Sequence, residues 1–257
     1  ANPPTVALPT RHNVLYDLAT ARLAAWWLGD TARQQTRGKS WYWEAGVPQL
    51  LEVEKPDANK HQAELLLLSE SSVLEPIAPG QYPTEFDAVR HVPGGVRFEH
   101  RLHFPSGSGK PTTLRLAQTI TAASGQQAPG GLARRLEIDG VPRGHACQLL
   151  ILPGPATLGD DGRSATLLGK AGGLRVQLVA PKDARLVQTE RGAAVRLPAV
   201  QGHVDCTLHY HSEVAADQFA PLPVPDRSLE PQTLDVVPGF QAVRLPTTDQ
   251  AMPTGLA

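Results

Sequence analysis

The chain predicts an all-β fold, an antiparallel β-sandwich with an extended Pro-rich C-terminal arm. Three observations carry this expectation. Apolar and polar residues alternate at period two through the middle of the sequence, the spacing of strands buried on one face. The 23 glycines and 24 prolines fall between the apolar runs, as turn punctuation does. The runs recur about every 10 to 15 residues, which suits antiparallel sheets packed in layers.

Near the N-terminal end, Val14-Leu15-Tyr16-Asp17 and Arg22-Leu23-Ala24-Ala25-Trp26-Trp27 read as a hairpin. Ala and Leu favour helix, so residues 19–28 also admit a helical reading, as do residues 60–75. The clearest strand is 94–104. There Val96, Phe98, Leu102 and Phe104 point to one face, and Arg97, Glu99, Arg101 and His103 to the other. Residues 105–111 form a loop, and the following strand buries Leu114, Leu116 and Ile120 while Arg115, Thr119 and Thr121 face outward. Leu132, Leu136 and Ile138 continue the pattern, and Asp139-Gly140 predicts the turn that closes it. Residues 147–152 are nearly all apolar, as in a strand covered on both faces. Leu174, Val176 and Leu178 alternate with Arg175 and Gln177, Val195 and Leu197 mark a short strand, and Val204, Cys206, Leu208 and Tyr210 form the last strong one.

From Pro221 the character changes, with Pro221, Pro223, Pro225, Pro231 and Pro238 close together. Proline has no backbone donor for a ladder, so an extended arm or linker is expected here. The predicted organisation is a sandwich over 1–220 and an arm over 221–257.

Composition excludes several roles. A net charge of −1 supplies no electrostatic footprint for nucleic acid. No apolar run approaches the roughly 18 residues that cross a bilayer, so no transmembrane segment is expected. Cys147 and Cys206 are the two cysteines; both sit at apolar strand positions, which favours buried thiols over a bridge. There is no Cys-x-x-Cys-His for covalent haem, and no cofactor is expected in this chain. The chain starts at Ala1 and its one methionine is Met252, so a processed chain or a piece of a longer one is expected. Its polar, Pro-rich start fits export to a periplasmic or extracellular compartment.

Candidate sites are few. His203, Asp205, Thr207, His209 and His211 share one strand face, and His209 and His211 with Asp205 are candidate metal ligands. The competing reading is a solvated outer face. Trp41 and Trp43 flank Tyr42 and share a strand face, where they would serve as a docking patch or a sugar-stacking platform, or else pack into the core. Trp26 and Trp27 must point opposite ways on a strand, which would bring one towards the surface. Glu99, Glu137, Asp139 and Asp205 are candidate acids for glycoside hydrolysis, although carboxylates on outward strand faces are normally solvated charges. Ser106-Gly107-Ser108-Gly109-Lys110 lacks phosphate-loop spacing and reads as a hairpin loop.

At the C-terminal end, Pro238-Gly239-Phe240-Gln241-Ala242-Val243-Arg244-Leu245-Pro246 and Met252-Pro253-Thr254-Gly255-Leu256-Ala257 resemble the propeller-entry strand of sugar-dehydrogenase-like proteins that use pyrroloquinoline quinone. Gly80-Gln81-Tyr82-Pro83, the 94–104 strand with Phe104-Pro105-Ser106-Gly107, and Leu116-Ala117-Gln118-Thr119-Ile120-Thr121 resemble a β-rich accessory module. That module accompanies such propellers, and c-type cytochrome domains, in large exported bacterial proteins. The resemblance implies a context and assigns no catalytic residue. The function expected is a non-catalytic structural or docking subunit of a larger electron-transfer assembly, membrane-bound or cytochrome-containing, contacted through Trp41, Trp43, Phe240, Val243 and Leu245. The alternative is a carbohydrate-binding sandwich of a sugar-active enzyme.

Overall fold

Period-two alternation becomes strand wherever the sequence shows it. The structure, a computed structural model, describes residues 4–8, 10–29, 33–37, 40–46, 48–52, 64–69, 72–77, 84–107, 109–123, 131–169, 172–214, 232–234 and 242–244, and among them there is no helix. In chain order the strands are β1 (Thr5–Ala7), β2 (His12–Asp17), β3 (Arg22–Leu28), β4 (Arg33–Arg37), β5 (Ser40–Glu44), β6 (Gln49–Glu52) and β7 (Leu65–Leu68). There follow β8 (Val73–Leu74), β9 (Glu85–Val92), β10 (Gly95–Phe104), β11 (Thr112–Ala122), β12 (Gly131–Val141), β13 (Ala146–Pro153) and β14 (Thr157–Leu158). The last are β15 (Ser164–Gly169), β16 (Gly172–Ala180), β17 (Arg185–Thr189), β18 (Gly192–Arg196), β19 (Gly202–Ser212), β20 (Gln232–Leu234) and β21 (Ala242–Arg244).

The chain divides into two compact units, Ala1–Pro221 and Leu222–Ala257. In the first, an eight-stranded antiparallel sheet runs in the order β14-β15-β16-β19-β12-β11-β10-β9. A five-stranded sheet, β17-β18-β13-β7-β8, and a four-stranded sheet, β1-β2-β3-β6, contribute to the same hydrophobic core. Side chains of the four- and eight-stranded sheets interleave: Tyr16 of β2 stacks on Phe98 of β10 at 4.0 Å, and Trp26 of β3 meets Tyr210 of β19 edge-on at 6.2 Å. The unit is therefore sandwich-like, the eight-stranded sheet giving its alternate residues to a shared apolar interior. Strands β4 and β5 form a separate hairpin. In the second unit β20 and β21 pair antiparallel, Thr233 opposite Val243, while prolines 221, 223, 225, 231 and 238 lie outside the described residues.

Each inward position expected in the eight-stranded sheet is buried: Val96, Phe98, Leu102 and Phe104 on β10, Leu114, Leu116 and Ile120 on β11, Leu132, Leu136 and Ile138 on β12. The 19–28 segment is hairpin and strand rather than helix. Its tip is closed by Asp17, whose carboxylate accepts from the Ala19 amide at 2.9 Å and the Thr20 hydroxyl at 2.6 Å. Within 60–75 the described residues form β7 and β8. Two local expectations need correction. Asp139-Gly140 does not close β12: Gly140, at φ +86°, absorbs a register shift between Asp139 and Val141, and pairing resumes with Val141 opposite Gly202. The dipeptide that favours a turn here makes a bulge instead, because β19 supplies partners beyond it. Trp26 and Trp27 are both buried, since β3 is covered on both faces.

Candidate functional site

Three polar residues occupy inward positions of the eight-stranded sheet, His100, Gln118 and Arg134. The parity that buries Leu132 and Leu136 also buries Arg134, which is 1 % exposed. A buried guanidinium must have partners, because it has five donors and cannot readily shed its charge. Arg134 Nη2 donates to Glu64 Oε2 at 2.7 Å, Nε donates to Gln118 Oε1 at 2.9 Å, and Nη1 reaches the Tyr210 hydroxyl at 3.4 Å. Gln118 Nε2 in turn donates to the Ala21 carbonyl at 2.5 Å. Glu64 leads into β7 of the five-stranded sheet and Ala21 sits between β2 and β3 of the four-stranded sheet. One cation on β12 thus ties all three sheets together.

The electrostatics follow from burial. Desolvation works against the charge of Arg134, but the Glu64 charge and the bonds to Glu64 and Tyr210 outweigh it and hold the guanidinium protonated. Burial pushes the Glu64 carboxyl above its ordinary range, with Arg134 pulling the other way. Burial also raises the Tyr16 and Tyr210 hydroxyls. His12 and His100 are held neutral, their pKa values lowered by desolvation to about 4. His12 Nδ1 accepts from the Trp26 indole at 3.0 Å, whereas among the described residues neither ring nitrogen of His100 has a hydrogen-bond partner.

Beside this cluster lies a cleft of about 220 Å³, lined by Glu64, Leu66, Gln148, Leu150, Thr189, Glu190, Arg191 and Ala194. Its wall is built by β7, β13, the β17–β18 turn and β18. Glu64 belongs to both places: its Oε2 faces Arg134, and the residue borders the cleft.

The outer face of the eight-stranded sheet has a different chemistry. Register places Glu99, Ala117, Glu137 and Asp205 in one row across four strands, and Arg90, Arg97, Thr119 and Arg135 in the next. The rows interlock. Arg97 bridges Glu99 at 3.0 Å and also meets Glu137, Arg90 meets Glu99 at 3.2 Å, and Arg135 reaches Glu137 at 3.6 Å and Asp205 at 3.5 Å. Ala117 is small, which leaves room for Arg97 and Glu137 to meet over β11. Hydrogen bonds from Arg90 and Arg97 hold the Glu99 carboxyl below its usual range, the wrong direction for a general acid. Asp139 is bound to His203 at 2.6 Å. Of the four carboxylates considered for glycoside hydrolysis, Glu99, Glu137 and Asp205 are therefore held in ion pairs with arginine, and Asp139 is hydrogen-bonded to His203.

His209 and His211 share the outer face of β19 with ring centroids 6.3 Å apart. Asp205 lies four residues from His209, roughly 13 Å along an extended strand, and turns to Arg135 instead. Among the described residues no three His, Cys, Asp or Glu side chains gather as a metal site. Trp41 and Trp43 lie on β5 and Val243 on β21, but their side chains are outside the described residues, as are Phe240 and Leu245. Cys147 and Cys206 are both free and buried, with desolvation raising each thiol to about 12. Sequence reasoning missed Glu64, His100, Gln118 and Arg134. The signal for the last three was present, a polar residue at an inward position of an otherwise apolar strand face.

No family model matches the chain, and no curated protein matches it. Among solved structures it is similar to the 4-alpha-glucanotransferase from Thermococcus litoralis, with 8% identity, 82% of this chain covered and a TM-score of 0.46. The chain spans 40% of that enzyme's length. It is also similar to heparinase III, the BT4657 gene product, with 9% identity, a TM-score of 0.37, 59% of this chain and 24% of the other covered.

Proposed function

We propose that this chain is a non-catalytic docking module, exported and built into a larger assembly that handles electrons. The observation that carries the docking reading is edge strand β9. Val89 lies opposite Phe98 and Phe86 opposite His100, so both point to the apolar side of the sheet. Yet they are 53% and 41% exposed, next to fully buried Phe98. An edge strand has unpaired backbone groups, and here it adds uncovered apolar side chains, a combination that gains stability by receiving a partner. The interlocked ion pairs of the outer face and the buried Arg134 cluster suit a rigid scaffold. The electron-transfer context rests on the resemblance of the C-terminal segments to propeller-entry and cytochrome-associated modules.

The test uses the intact chain, tagged and purified from the cells that make it. The unsubstituted protein is expected to bring down a haem-absorbing partner, and the Phe86→Ser, Val89→Ser variant to lose it while unfolding at the same denaturant midpoint. Equal recovery by both proteins overturns the role of β9, and recovery without haem absorbance overturns the electron-transfer setting. Deleting 222–257 separates the contribution of the arm, with Phe240, Val243 and Leu245. The carbohydrate-binding alternative rests on Trp41 and Trp43 of β5.

A further inference from the structure

The cleft beside Glu64 combines features that a mere packing defect lacks. Glu64 is 6% exposed, Arg134 donates to its Oε2, and the residue also borders the cleft. Gln148 is 8% exposed, and Arg196 donates to its Oε1 from Nε at 3.3 Å and from Nη2 at 3.0 Å. Those two bonds hold the amide by its oxygen, and among the described residues its NH2 end has no acceptor. Among the described residues neither the Arg191 guanidinium nor the Glu190 carboxylate has a partner. Arg191 is near enough for its charge to act on Glu64. Its place is set by the β17–β18 turn, where the Arg191 amide donates to Thr189 Oγ1 at 3.2 Å and that hydroxyl donates to the Gly192 carbonyl at 2.8 Å. Leu66, Leu150 and Ala194 supply the apolar wall.

We propose that this cleft binds a small zwitterion of the free amino-acid class with an aliphatic side chain. Its carboxylate pairs with Arg191 and the Gln148 amide, its ammonium with Glu64 and Glu190, and its side chain lies against Leu66, Leu150 and Ala194. The cleft, at about 220 Å³, is smaller than the roughly 300 Å³ at which drug-sized pockets begin, which limits the ligand to a single small molecule. Charges of both signs border one cleft, which suits a zwitterion better than a simple anion or cation, either of which would meet a like charge. The site lies on the five-stranded sheet, while edge strand β9 belongs to the eight-stranded one, so the two proposals stand or fall separately.

Calorimetric titration of the intact chain with L-leucine, glycine and D-galactose tests the assignment. L-leucine is expected to bind about ten-fold or more tightly than glycine, because only its side chain reaches the apolar wall. Arg191→Ala is expected to weaken L-leucine binding about ten-fold or more. Gln148→Leu should do likewise, with the circular dichroism melting curve of each variant as the check on folding. Absence of heat with both amino acids overturns the proposal. So does D-galactose binding more tightly than L-leucine, which would mean that the cleft reads hydroxyls, or L-leucine binding that survives Arg191→Ala unchanged.

Discussion

His12 and His100 give the chain a defined response to acid. Both are buried in the folded state with pKa values lowered from 6.5 to about 4, and for His100 the charges of Asp87 and Asp17 only partly oppose the lowering. An unfolded chain takes up these protons near pH 6.5 and the folded one does not. Their contribution to stability is therefore full above about 6.5, is lost as pH falls towards 4, and levels off below that. A shift of that size corresponds to ~3 kcal/mol per histidine. Melting temperature measured from pH 7.5 to 4 is expected to fall, and His100→Phe is expected to flatten the curve. The cysteines give a second expectation. With both thiols buried and raised to about 12, neither should react with a disulfide reagent at pH 8 until denaturant is added, when two equivalents should appear. The placement of Cys206 on the inner face was legible from alternation alone. The neutrality of His100 was not, because the sequence reads it as one more polar residue without showing that β2 lies over it.

Individual strands depend on a few geometrically demanding positions. Gly140 has φ +86°, and a Cβ there would lie 2.9 Å from the Thr113 carbonyl. Gly140→Val is expected to destabilise by about 1–2 kcal/mol in denaturant unfolding, because a branched residue pays for left-handed backbone in steric strain. Arg163 performs a different task. Its guanidinium donates to the carbonyls of Val179, Pro181, Lys182 and Ala184, at 3.1 to 3.2 Å, and so fastens the link between β16 and β17. Lysine carries the same charge without the planar fork of donors. Arg163→Lys is therefore expected to speed amide exchange across 179–184 while protection in β10–β12 stays the same. Most of these elements could be recognised from periodicity. The β12 bulge could not, since Asp-Gly marks either a turn or a bulge until a neighbouring strand offers or withholds hydrogen bonds.

At the level of the whole molecule, Arg134 joins three sheets. Arg134→Ala leaves the Glu64 carboxylate buried and unpaired, for which a loss of about 3–5 kcal/mol is expected. Arg134→Met combined with Glu64→Leu removes both charges and is expected to recover much of that loss, as chemical denaturation of the two variants would reveal. An equal loss in both would mean that the hydrogen bonds to Gln118 and Tyr210, rather than the ion pair, hold the sheets together. The outer ion pairs behave differently. They are solvent-screened and each contributes ~1 kcal/mol or less, so their role is to keep a broad polar face ordered rather than to stabilise the fold.

Alternation, turn residues and composition by themselves determined that the chain is all-β, which side chains of β10, β11, β12, β16 and β19 face inward, and that its cysteines occupy core positions. These are local properties, carried by neighbours along the chain. Tertiary structure alone decided that Arg134 on β12 meets Glu64 at 2.7 Å, 70 positions away, that Asp205 pairs with Arg135 rather than with His209, and that Glu64, Gln148 and Arg191 border one cleft. Such meetings depend on strand order and register, which follow from how apolar faces of distant segments pack together, and no spacing within a single segment encodes them.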